Sequence, residues 1–205
     1  MGETKKNSKA TSILKNNPLT SIVKGNIGII VVLIIMCVAV ALATDKFLTT
    51  NNIISVLRQI SINTYIALGM TLIIILGHID LSVGSIVAMS GTLTVGFIVN
   101  QGLPLGVAIV AGLLVGTAAG FISCFIVANF KVPAFIITMA MMNIASGIAY
   151  VYTGGQSTRI TNKIFIEIGT GYLFNVIPLP VVYMVVLIIL FSFILSKTKF
   201  GTYVY

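Results

Sequence analysis

Six apolar runs, at residues 27–43, 62–76, 86–99, 105–128, 134–152 and 181–195, alternate with polar gaps along the chain. A helix satisfies its backbone groups internally, so each run can enter hydrocarbon without a soluble core around it. About 20 apolar residues cover a hydrocarbon core of about 30 Å. By that measure the runs at 27–43, 105–128 and 134–152 are long enough to span, whereas 62–76 and 86–99 are short. The pattern predicts an all-α fold: a polytopic transmembrane helix bundle of about six spans. Ala41-Leu42-Ala43 has the form of a signal-peptide cleavage site. The run before it is longer than a typical signal core and more spans follow, so a retained first helix is expected.

The gaps carry the remaining organisation. Residues 1–26 form a polar tail with a break at Pro18, read as a cytoplasmic basic tail, and 27–205 as the membrane domain. Residues 45–60 read as a polar connection in which 53–57, apolar at helical spacing, lies along the membrane surface. Asn100-Gln101-Gly102-Leu103-Pro104 is strong turn chemistry, and Asn129-Phe130-Lys131-Val132-Pro133 is a tight connection. The longest gap, 153–178, mixes polar and apolar residues and predicts an interfacial helix or a docking loop.

One gap differs in kind. Residues 77–85 read Gly77, His78, Ile79, Asp80, Leu81, Ser82, Val83, Gly84, Ser85, and His78 and Asp80 are the sole ionisable side chains between Arg58 and Lys131 apart from Tyr65 and Cys124. An ionised carboxylate at mid-bilayer costs roughly 2.5–3.5 kcal/mol on insertion scales, so Asp80 needs a partner or a place near water. Flanking glycines let the backbone leave a helix and turn. Two structures satisfy these demands: a solvated turn between two spans, or a broken, re-entrant segment lining a pathway.

Composition sharpens the class. The chain is 58% hydrophobic and 8% charged, against about 25% charged in soluble domains. Mean hydropathy is +1.12. The net charge of +8 sits in the tail, at Lys5, Lys6, Lys9, Lys15 and Lys24, and singly in the gaps. That is a positive-inside distribution beside membrane lipid, and it argues against a nucleic-acid partner. With the tail inside, cations divide eight to four in favour of the cytoplasm, and the 153–178 gap falls outside. Cys37 and Cys124 lie in apolar runs with no nearby His, so no metal site is expected. Gly112, Gly116 and Gly120 share one helical face, where missing side chains let another helix approach. Met139, Met141 and Met142 read as adaptable core filler.

The string Ile79-Asp80-Leu81-Ser82-Val83-Gly84-Ser85 resembles the core motif of the sugar-type, ribose permease-like permeases of bacterial ABC importers, with His78 standing where that family commonly has Gly. Asn63 to Thr71, Val132-Pro133-Ala134-Phe135-Ile136-Ile137-Thr138 and Tyr152-Thr153-Gly154-Gly155 follow in the family's order, and the resemblance covers nearly everything after Phe47. It implies a permease subunit in the bacterial plasma (inner) membrane. The implied partners are a second permease subunit, most simply as a homodimer, an ATP-hydrolysing subunit and an extracellular or periplasmic sugar-binding protein. The motif residues Gly77, His78, Asp80, Ser82, Gly84 and Ser85 would then serve a pathway or coupling role. Such permeases are longer, so the 205 residues are expected to be an amino-terminal part that inserts without coupling to an ATPase.

Rival chemistries fit less well. No Gly-x-x-x-x-Gly-Lys-Ser/Thr loop occurs, so energy comes from another chain or from an ion gradient, and no cofactor is expected. A two-carboxylate intramembrane protease lacks its second Asp, and Ser90 lacks the Gly-x-Ser-Gly setting of a nucleophile. An ion-coupled secondary transporter using Asp80 stands as the alternative.

Overall fold

The computed structural model describes residues 26–204, so all but Asn26 of the expected basic tail lies outside the described residues. The chain divides into two compact units at the Ser55–Val56 boundary. The first holds α1 (Ile27–Ala43) and the start of α2 (Thr50–Ile75). No residue of α1 is buried, as suits a helix whose apolar surface meets lipid.

Helix α2 corrects the expected polar connection at 45–60. Thr49 Oγ1 accepts from the Asn52 N–H at 3.4 Å, and Asn52 Nδ2 donates to the Phe47 carbonyl at 2.7 Å. With its first turn capped in this way, the helix starts at Thr50 and takes in Asn51, Asn52 and Arg58. Its 26 residues extend about 39 Å, more than a hydrocarbon core, so the polar first turns can project beyond the apolar layer. The segment 53–57 is thus the beginning of a long helix, and the apparently short second run belongs to a full-length span.

The second unit is built on α3 (Val83–Val99), α4 (Leu105–Phe130) and α5 (Ala134–Thr153), which pack on one another pairwise. Met89, Ala119, Met141 and Ala145 form their common core, walled by Ile86, Leu93, Val115 and Ala149. Methionine fills the space that the small residues leave. Met139 is more than a third exposed, so the expected Met filler is here the work of Met141. The longest gap holds α6 (Lys163–Thr170), capped by Asn162 Oδ1 accepting from the Phe165 N–H, and a short antiparallel ladder of β1 (Tyr172–Leu173) and β2 (Ile177–Pro178). Helix α7 (Leu179–Lys197) packs on α6 and the ladder, and α8 (Lys199–Val204) folds back on α7.

The helices α2, α4, α5 and α7 are long and apolar enough to cross a membrane, and α1 and α3 are 17-residue apolar helices near the lower limit. The architecture is a polytopic helical bundle.

Candidate functional site: the motif junction and the α3–α5 cleft

Gly77 ends α2. Its φ of +77° places it in the left-handed region, its N–H donates to Ile74 O and the next N–H, of His78, donates to Ile73 O. This is a Schellman cap, which absorbs orphan helix carbonyls and needs a residue without Cβ. Six residues later, at Val83, the chain re-enters a helix. Asp80 Oδ1 accepts from the Ser82 N–H at 2.7 Å and from Ser82 Oγ at 2.6 Å, an Asx turn. Ser82 is fully buried, and its carbonyl receives the Ile86 N–H at 2.9 Å. The carboxylate is therefore held at the amino-terminal end of α3, where charge-assisted bonds and the helix dipole both favour it.

The other motif residues take different places. His78 is exposed and lines, with Asp80, Gly120, Ser123 and Thr138, a cavity of about 250 Å³ beside α4 and α5. Thr138 Oγ1 lies 3.5 Å from Ile79 O, so the junction sits against the start of α5. Gly84, in the first turn of α3, has open space around it. Ser85 accepts from Ser146 Oγ of α5 at 2.9 Å, a bridge between two helices.

The three glycines of α4 divide. A side chain at Gly112 would overlap Thr94 Oγ1 and come within 3.2 Å of Ser90 O on α3. Gly116 lies at ordinary contact distance, 3.6 Å, from Ser90 Cβ. Gly120 meets nothing within 4 Å and borders the small cavity near Asp80.

Towards the carboxyl ends of the two helices, α3 and α5 line a cleft of about 610 Å³. Ala88, Gly91, Thr92 and Val95 line one wall; Ser146, Ala149, Tyr150 and Thr153 line the other. Each set follows the i, i+3, i+4, i+7 spacing of a single helical face. The mouth is formed by Gly155, Gln156, Ser157 and Thr158. There Gly154, with φ +61°, ends α5 in a second Schellman cap, its N–H on Val151 O and that of Gly155 on Tyr150 O. The bare Cα of Gly155 leaves room for the Tyr150 ring, which a Cβ would meet at 2.8 Å. Outside the cleft, the Tyr152 ring lies over the buried Gly96 of α3, too close for any side chain there.

Sequence reasoning missed the α3 wall of this cleft, Ala88, Gly91, Thr92 and Val95, although its small residues repeat at helical spacing. It also missed Arg58, whose Nη2 donates to Thr170 O at 2.6 Å while its guanidinium lies 5.0 Å over the Tyr172 ring. With Tyr65 Oη donating to Pro180 O, Arg58 ties α2 to the connection before α7.

Residues 52–205 match the family described as branched-chain amino acid transport system / permease component. The chain belongs to that permease family. Among relatives, it is 40% identical to the ribose import permease protein of Haemophilus influenzae over 179 residues, 85% of this chain and 55% of that protein. It is 38% identical to the ribose import permease protein of Bacillus subtilis, over 84% of this chain and 54% of the relative. With the L-arabinose ABC transporter permease protein of Azospirillum brasilense the identity is 33%, over 85% and 51%. The chain spans about half the length of the curated relatives it matches. No solved structure matches it. Permease membership and the apolar helices make it a multi-pass membrane protein, as the apolar runs implied.

Proposed function

We propose that this chain serves as the transmembrane permease subunit of an ATP-driven importer of a small sugar, a pentose such as ribose or arabinose. The relatives with these printed roles share 33–40% of residues over a stretch that includes the junction and the cleft, and this observation carries the reading. The permease works as a pair with a second copy. A separate ATP-hydrolysing subunit drives it, and a sugar-binding protein outside the membrane delivers the substrate. The amino terminus is cytoplasmic, which places the Gly77 junction and Lys131 inside and the cleft mouth outside. Asp80 and Ser82 set the angle at which α3 leaves the junction, and Ser85 passes that geometry to α5 through Ser146. Gly112 and Gly116 let α4 pack closely on α3, while Gly120 keeps the cavity beside Asp80 open.

The test is a chimaera in which residues 47–205 replace the matching segment of the Haemophilus ribose permease, expressed with that system's own ATPase and binding protein. The expected outcome is ribose accumulation that collapses on ATP depletion and survives an uncoupler. Uptake that instead follows the proton gradient would favour an ion-coupled carrier using Asp80. Absence of uptake by a chimaera that reaches the membrane would overturn the importer reading.

A further inference from the structure

The cleft between α3 and α5 differs in chemistry from the other hollows of the second unit. Its lining contains no Asp, Glu, Lys, Arg or His. It contains six hydroxyls and one carboxamide, from Thr92, Ser146, Tyr150, Thr153, Ser157, Thr158 and Gln156, interleaved with small or apolar residues. The hollow among α3, α4 and α6 is half lined by Ile, Val, Leu and Phe and carries three hydroxyls, Ser90, Thr94 and Thr117. The volume of the α3–α5 cleft, about 610 Å³, lies within the range of small-molecule sites, roughly 300–1,000 Å³.

We propose that this cleft is the solute-contacting wall of the permease, and that it selects a neutral, polyhydroxylated molecule over a free amino acid. The inference rests on the sugar-importer reading and assigns its specificity to named side chains. Ser146 gives its proton to Ser85 and Thr153 gives its own to α5 carbonyls, while Thr92, Tyr150, Ser157 and Thr158 are free, among the described residues, both to donate and to accept, so the wall matches a solute rich in hydroxyls. An amino acid brings a carboxylate and an ammonium. Moving such charges out of water is costly without a partner, and the lining offers none. The helix end at the cleft mouth is the carboxyl end of α5, whose dipole disfavours a carboxylate. Ala88, Gly91 and Ala149 keep the floor wide, and Tyr150, laid over Gly155, supplies an aromatic face. The family description names branched-chain amino acids, and the cleft argues against them for this chain.

The experiment uses the 205-residue chain in membrane vesicles, with Cys37 and Cys124 replaced by Ser and a thiol placed at Gly91→Cys, where a side chain has open space. D-ribose should slow maleimide labelling of Gly91→Cys, by about threefold at twice its dissociation constant, because occupancy scales protection as 1 + [L]/Kd. L-leucine should leave the rate unchanged, and a thiol at Asn100→Cys, outside the cleft, should respond to neither. Adding Thr92→Val should raise the ribose needed for equal protection about three- to tenfold, the worth of one hydrogen bond. Labelling indifferent to ribose up to its solubility, or slowed equally by leucine, overturns the proposal. Ribose uptake by the chimaera without protection at Gly91→Cys removes the cleft and leaves the importer reading standing. Protection without uptake does the reverse.

Discussion

Arg58→Ala is the substitution whose effect can be worked out most fully. The wild-type guanidinium gives one charge-assisted hydrogen bond to Thr170 O, worth about 1.5–3 kcal/mol. Its position 5.0 Å over the Tyr172 ring adds about 0.5–1 kcal/mol. Against these stands Nε, which is buried with no partner among the described residues and costs about 1–3 kcal/mol. Truncation removes all three terms together, so the net loss is about 1 kcal/mol, a factor of about 5 in the docked population of α6 and the β1–β2 ladder. The Tyr65–Pro180 bond remains in the variant, so the loosening stays local and α7 keeps its place.

Hydrogen exchange read by mass spectrometry on chain in lipid nanodiscs measures this directly. Amides of α6 and the ladder should exchange about fivefold faster in Arg58→Ala, while those of α4 and α5 keep their rates. Arg58→Lys retains a cation and loses the planar fork, so it should fall between the two. In Tyr172→Ala the hydrogen bond survives and the effect should drop to about 0.5–1 kcal/mol. If Arg58→Ala leaves exchange at α6 within twofold of wild type, as estimated from its hydrogen bond, the staple contributes nothing and the docking must come from the apolar face of α6.

Three further outcomes are expected. Asp80→Ala removes the acceptor for both Ser82 bonds and should abolish uptake or assembly in the chimaera, whereas Asp80→Asn keeps an acceptor oxygen and part of the activity; full activity in Asp80→Ala would reduce the junction to a plain loop. Gly112→Ala should lower the thermal midpoint in detergent, since overpacking against Thr94 and Ser90 costs about 1–3 kcal/mol. Gly120→Ala, with free space, should hold or raise the midpoint through the gain of about 1 kcal/mol in helix propensity, and equal behaviour of the two would refute the packing distinction. In intact cells a membrane-impermeant thiol reagent should spare Gly25→Cys and label Ser157→Cys; the reverse would invert the sidedness.

The spans were legible because hydrocarbon imposes one requirement on every residue it touches. Runs of apolar residues alone located α1 and, to within two residues at each end, α4, α5 and α7. The start of α2 was not legible in that way. Asn51, Asn52 and Arg58 read as a connection because hydropathy reports the environment of a side chain and says nothing of its backbone. The signal that did exist was local: a Thr at 49 with Asn52 three positions later is a helix start, whatever solvent follows. The docking of α6 was beyond reach from sequence, since it turns on one guanidinium meeting a carbonyl 112 positions away.

The junction shows where a cost argument leads and where it stops. A carboxylate among apolar residues demands a partner, and the search for a charged one finds none in the motif. The partner is the amino-terminal end of the next helix, reached through Ser82, a residue that the motif names and that burial alone would mark as costly. Asp80 and Ser82 are tolerable together and neither is alone, which is why they occur two positions apart, the spacing an Asx turn requires. The same geometry weighs against the ion-coupled alternative. A coupling carboxylate must exchange its partners during every cycle, and here that exchange would release both bonds that hold the first turn of α3. A residue so engaged suits a fixed joint. On the proposed reading the solute is met instead at the α3 face that begins six positions beyond Ser82, at Ala88, and carries Thr92 into the cleft with α5.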